Sequence, residues 1–305
     1  MRKTGVALVP LLIAASLTAT AQARERMCQG WRVTIAGSSG DDTLRGTPRG
    51  DVIAGLGGND VIKGADGRDK ICGGPGRDTL YGELDNDSLD GDRGNDILIG
   101  GRAGDSATGD EGADQLRMGT GPAFVDLATG EVRGRDGGDD TIVGGTIENI
   151  YGTGRGDELY GDDRPNVLAA GYTGGGFLFG RGGNDDLHTG GEDGGTSFDG
   201  GPGDDIFHPT WDENTADGGD GSDTIDYCNS GGDVSVDIVA GEGVNAEGTT
   251  TFTSIENVVS CGGDDSLAGD GGDNRLDAGD GRDSIDGREG TDTCLGGEET
   301  ANCES

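Results

Sequence analysis

Between Gly37 and Arg117 an aspartate recurs at every ninth residue: Asp42, Asp51, Asp60, Asp69, Asp78, Asp87, Asp96, Asp105 and Asp114. Each stands five residues after a glycine, as in GLGGNDVIK, GADGRDKIC and GGPGRDTLY from Gly55 to Tyr81. A carboxylate offers hard oxygen ligands, and a glycine-rich turn lets backbone carbonyls come close to an ion. Calcium suits such a donor set better than magnesium, which demands stricter geometry and holds its waters.

The rest of each block says what positions the acid. Place one is glycine in all nine blocks, and place eight is Leu or Ile in eight, with Ala107 the exception. Glycines at places one and four read as residues of positive φ. The residues around place eight, such as Val61-Ile62-Lys63, read as a short strand with one side chain facing inward. Turn and strand alternating at this period describe a solenoid in which two blocks make a coil and successive coils pair as parallel strands. Two apolar side chains per coil do not offset the entropy of ordering a glycine-rich backbone. Stacked aspartates add repulsion. A divalent ion between coils relieves that repulsion and stabilises the fold it binds.

Composition agrees. Of 305 residues 67 are glycine, 30% are hydrophobic and 4% aromatic, which excludes a conventional packed core. Acids outnumber bases 59 to 22, for a formal charge of −37, which argues against nucleic acid or an anionic membrane as partner. Residues 1–23 have the form of a secretory signal: Arg2 and Lys3, an apolar stretch from Val6 to Ala19, and the small-x-small site Ala21-Gln22-Ala23. No later run is long enough to span a bilayer. The chain is expected to be secreted and extracellular.

The blocks resemble the Gly-Gly-x-Gly-x-Asp-x-U-x nonapeptides of RTX, or hemolysin-type, calcium-binding proteins. The resemblance implies an all-β parallel β-roll with several Ca2+ ions, held by place-six aspartates and turn carbonyls from loops two blocks apart. On this chain the implied ligands are the nine aspartates above, paired as Asp42 with Asp60 or Asp51 with Asp69. Gly37, Gly40, Gly55, Gly58, Gly64, Gly67, Gly73, Gly76, Gly91 and Gly94 are the implied turn-backbone positions. Arg49, Asp85 and Ala103 replace the fourth glycine, and those turns are expected to bind weakly or not at all.

Beyond Met118 the register breaks and later resumes, giving a division into a lead at 24–36, the regular roll at 37–117, a first insert at 118–151, degenerate repeats at 152–226, a second insert at 227–259 and closing repeats at 260–305. Ile147-Glu148-Asn149 and Ile255-Glu256-Asn257 mark the inserts as related β-rich units. Later place-six acids are Asp157, Asp185, Asp205, Asp223, Asp265, Asp283 and Asp292. Asn166 and Asn274 hold the same place and can still offer a carbonyl oxygen to a metal. Residues 170–215 are the least regular and are expected to pack locally against the solenoid edge.

In this frame Cys294 and Cys303 both fall at place eight, facing inward from opposite strands of one coil. Cys228 and Cys261 bracket the second insert, which leaves Cys28 with Cys72. The pairs expected are thus Cys28–Cys72, Cys228–Cys261 and Cys294–Cys303. There is no C-x-x-C pair, and His188 and His208 are the sole histidines available to join a cysteine, so no zinc site is expected.

No G-x-S-x-G elbow, H-E-x-x-H or complete EF-hand loop occurs. The expectation is a non-catalytic, calcium-binding protein of structural, adhesive or ion-binding role, with extracellular polysaccharide as a candidate partner. A solenoid lyase or epimerase acting on acidic polysaccharide is the alternative, with Arg133, Arg135 and Arg155 as loose candidates. A cytolysin-related protein fits poorly, because the large apolar domain of such toxins is missing.

Overall fold

A computed structural model describes residues 27–304 apart from 119–122, 135–138, 144, 153–155, 172–174, 190–193, 211–212 and 247. The signal sequence, Arg135 and Arg155 lie outside the described residues. Among the described residues there is no helix, and none long and apolar enough to cross a membrane.

Each block places a strand of two to seven residues around place eight, and alternate blocks feed alternate sheets. Sheet I has 13 strands running in coil order from Thr43–Arg45 to Thr293–Leu295. Sheet II runs from Ile35–Ala36 to Glu299–Ala301. Strands one coil apart are parallel and in register: Ile62 lies beside Leu80 and Leu80 beside Leu98, while Ile53 lies beside Ile71 and Ile71 beside Leu89. These place-eight side chains are fully buried between the sheets, so the core is a double file of single residues rather than a layer.

The inserts are extra strands within sheet II. Ala123–Asp126, Glu131–Gly134 and Asp139–Ile142 form an antiparallel meander whose outer strands pair in parallel with the coils on either side. Ser235–Asp237, Glu242–Val244 and Thr249–Thr253 repeat the arrangement. The 170–215 region does not lie against an edge. It continues the solenoid with lengthened coils: Val167 pairs with Asp186, 19 residues on, and Asp186 with Ile206, 20 on.

Three disulfides join Cys28 to Cys72, Cys228 to Cys261 and Cys294 to Cys303, with Cα–Cα distances of 5.7, 4.7 and 5.8 Å. The first ties the hairpin Met27–Cys28/Trp31–Arg32 to the outside of sheet II, where Lys70 lies over the Trp31 ring. The placement of Cys303 differs from the nine-residue count. The last coil is three residues short, so Thr300 stands beside Ile285 and Cys303 follows the final strand instead of lying on it.

Candidate metal centre

Every turn delivers its aspartate to an edge where one sheet passes into the other. There Oδ1 accepts the backbone N–H of the corresponding residue one coil earlier. On one edge Asp60 accepts from Asp42 at 2.8 Å, Asp78 from Asp60 at 2.7 Å, Asp96 from Asp78 at 2.8 Å and Asp114 from Asp96 at 2.7 Å. On the other Asp69 accepts from Asp51 at 2.7 Å, Asp87 from Asp69 at 2.8 Å and Asp105 from Asp87 at 2.8 Å. Asp185, Asp205, Asp223, Asp265, Asp283 and Asp292 do the same further along.

The second oxygen is left over. Oδ2 is buried without a hydrogen-bond partner in Asp60, Asp69, Asp78, Asp87, Asp96, Asp105, Asp114, Asp185, Asp205, Asp223, Asp265, Asp283 and Asp292. Burying an unpaired anionic oxygen is costly. Burial above all, with the neighbouring carboxylates adding and the backbone N–H opposing, pushes Asp69 and Asp78 up to about 6, Asp96 and Asp105 to about 7, and Asp87 to about 8.

The place-one glycine shows what the orphaned oxygen faces. A Cβ on Gly91 would come 2.5 Å from Asp96 Oδ2 and 3.0 Å from the Gly109 carbonyl oxygen of the next coil. Gly37, Gly55, Gly64 and Gly73 meet their own aspartate in the same way, and all but Gly73 also meet a next-coil carbonyl among their nearest atoms. A carboxylate oxygen and a carbonyl oxygen thus crowd the same bare glycine Cα, and any side chain there would push them apart. All-oxygen donors, one of them anionic, fit calcium in kind.

The glycines divide their work differently from expectation. Place one lies outside the left-handed region and needs glycine for room. Positive φ falls at place four in Gly58, Gly67, Gly76 and Gly94, and also at place two, where Leu56, Ala65, Glu83, Asp92, Asp110, Arg181 and Arg288 adopt it. Gly40 is neither left-handed nor crowded. Of the three departures, Asp85 and Ala103 take the left-handed angle that glycine would, and Arg49 does not. The first two aspartates also differ. Asp42 Oδ2 accepts from Ser38 N and Oγ at 2.6 and 2.8 Å, and Asp51 Oδ2 from Thr47 N and Oγ1 at 2.8 Å each, so these carboxylates are closed by hydroxyl caps.

At the inserts the ladder passes to residues the nine-residue count missed. Asp114 N–H donates to Glu148 Oε2 at 3.0 Å and Asp223 N–H to Glu256 Oε2 at 2.9 Å, so each Ile-Glu-Asn triplet supplies a longer acid across the gap. Glu298 and Glu304 close the two edges at the end, on Asp283 and Asp292. One coil after each triplet stands asparagine. Asn166 donates Nδ2 to the Glu148 carbonyl and accepts from Asp162 N–H, and Asn274 does likewise with Glu256 and Asp270. Each amide thus makes one donated and one accepted bond inside the protein, with less charge than the aspartate it replaces. Arginine completes both places: Arg181 grips Asp126 through both nitrogens at 2.8 Å and Gly161 O at 2.9 Å. Arg288 holds Asp237 and Gly269 O in the same way. Arg133 bonds Glu131 at 2.6 Å and covers Phe124.

The family model described as RTX calcium-binding nonapeptide repeat (4 copies) matches residues 34–48, 45–80, 73–106, 90–121 and 262–297. These stretches make up less than half of the chain and coincide with regular nonapeptide runs on either side of the inserts. No curated protein matches the chain. Over those matched stretches, the coils of this all-β solenoid are similar to the RTX calcium-binding nonapeptide repeat.

Proposed function

We propose that this chain is an exported, non-catalytic protein whose β-roll folds when Ca2+ enters the cradles between successive turns, and that it serves outside the cell as a structural, adhesive or ion-binding element. The observation that carries the reading is the row of buried, unpartnered Oδ2 atoms, most of them set against a place-one glycine, with Ser260 and Ala278 in its place before Asp265 and Asp283. When bound, calcium would supply the positive charge that the stacked carboxylates lack. The chain's residues do the rest: Oδ1 fixes each acid to the preceding coil, place-one glycine keeps the gap open, and the place-eight file excludes water behind it. Thirteen orphaned oxygens among the described residues set the scale of loading.

The test is circular dichroism and calorimetry on the mature polypeptide after exhaustive EGTA dialysis, titrated with calcium and separately with magnesium. Calcium should restore strand signal and a cooperative melting transition, and magnesium should not. An EGTA-treated protein that is equally compact and equally heat-resistant would refute the reading.

A further inference from the structure

The chain of 305 residues holds two histidines, and the fold brings them side by side. Asp186–His188 and Ile206–His208 are neighbouring parallel strands of sheet I, with Leu187 and Phe207 turned into the core. Residues on either side of them therefore face outward. The two imidazoles stack with centroids 4.2 Å apart and planes 3° from parallel. Nε2 of each lies 2.8 Å from one atom, Asp186 Oδ1. On the next strand, Asp226 Oδ2 lies 3.4 Å from His208 Nδ1.

Ion pairing with the two imidazoles accounts for Asp186 Oδ1, but His208 Nδ1 is a buried atom without a hydrogen-bond partner among the described residues. The three ligand atoms fall within 4.8 Å of one another. Metal–ligand distances of ~2.0–2.2 Å put tetrahedral ligands about 3.3 Å apart, so the cluster needs to open by roughly half an ångström and the two rings to turn out of their parallel stack until both Nε2 lone pairs meet the ion. The side chains of His188, His208 and Asp186 are 32%, 14% and 41% exposed, enough for an ion to enter and for a fourth, exogenous ligand to bind. Two imidazoles and one carboxylate favour a borderline transition ion over calcium or magnesium. The expectation of no zinc site rested on the missing C-x-x-C pair, whereas the third ligand here is an aspartate.

We propose that Asp186, His188 and His208 form a Zn2+ site on the outer face of sheet I, distinct from the calcium cradles, with Asp226 orienting His208 through Nδ1. The lengthened coils build it. At 20 residues rather than 18, the step from Asp186 to Ile206 still aligns His188 with His208, so both rings reach the same carboxylate.

The test uses tag-free full-length mature protein in excess calcium, so that the cradles are filled. Zinc titrated calorimetrically should bind at one equivalent, and Co2+ should give the visible absorption of a four-coordinate ion. His188→Gln and His208→Gln should each weaken zinc binding at least tenfold while leaving the calcium-induced dichroism intact. Asp226→Asn should weaken it by about tenfold, as expected of a ligand's outer partner. Should either histidine variant fail to fold, wild type labelled with 15N-histidine carries the test. Its spectrum contains two imidazoles, and both Nε2 resonances should shift together on adding one equivalent of zinc. Unmoved resonances, absence of one-equivalent binding, or undiminished binding in a folded His188→Gln or His208→Gln variant would each overturn the proposal.

Discussion

Gly91 lies outside the left-handed region, yet a Cβ there would press on Asp96 Oδ2 and the Gly109 carbonyl. The residue is glycine for space beside the two oxygens that would hold a cation. Gly91→Ala should therefore cost about 1–3 kcal/mol of calcium-loaded stability, the range of an overpacked site, and remove one bound ion. Gly40→Ala, at a turn with nothing within 4 Å, should stay within about 0.5 kcal/mol. Calcium-saturated melting with ion counting by emission spectroscopy compares the two, and equal effects would sink the steric reading. The carboxyls make a second prediction. Burial raises them from an ordinary 3.8 to about 6 in Asp69 and Asp78, and to about 8 in Asp87. Without metal, the folded chain holds these protons more tightly than the unfolded chain does. That contribution is full below about pH 4 and is lost as pH rises through about 6 to 8. In EGTA the chain should keep more strand signal near pH 5 than near pH 8, and its calcium affinity should fall as pH drops below about 6. Circular dichroism at both pH values checks the first sign and titration the second.

The inserts show how an element of a different kind is fitted into a metal-built stack. A meander brings a strand end, Asp126 or Asp237, to a turn whose acid is replaced by asparagine. Arg181 or Arg288 then reaches the aspartate and the turn carbonyl together. The guanidinium occupies the role a bound ion has elsewhere, so these junctions should not respond to calcium. Arg181→Met should lower the melting temperature of the calcium-loaded protein, at about 1–2 kcal/mol for a partly exposed charged pair, with no change in calcium stoichiometry. A lost ion in that variant would show that the junction binds metal after all. The nine-residue register made the coil, the inward file and the aspartate ladder legible, because each is a consequence of one period. Glu148 was not legible. It lies 34 residues from Asp114, and what makes them neighbours is the pairing of Gln115–Arg117 with Asn149–Tyr151 across the meander. The Asp186–His188–His208 cluster escaped for a similar reason. Residues on the outer face of lengthened coils obey a register set by pairing, and a linear count does not reveal it.

Across the whole molecule, a formal charge of −37 is distributed along a solenoid only two sheets thick. Two effects then compete as causes of instability without calcium: repulsion summed over the molecule, and local loss of ligands to the buried Oδ2 atoms. They differ in what relieves them. Diffuse repulsion is screened by any salt, with a Debye length of ~10 Å at 0.1 M and ~3 Å at 1 M. A buried, unpartnered oxygen is out of reach of that atmosphere and needs an ion in contact. Thirteen divalent ions would also cancel most of the net charge, so calcium acts on both causes and sodium on one. In EGTA, raising sodium chloride toward 1 M should shrink the radius of gyration measured by small-angle scattering, yet restore no cooperative melting transition. Millimolar calcium at low ionic strength should restore both. If sodium chloride alone recovered the melting transition, the stability of the roll would lie in its overall charge, and the glycine-made cradles would not be what holds the coils together.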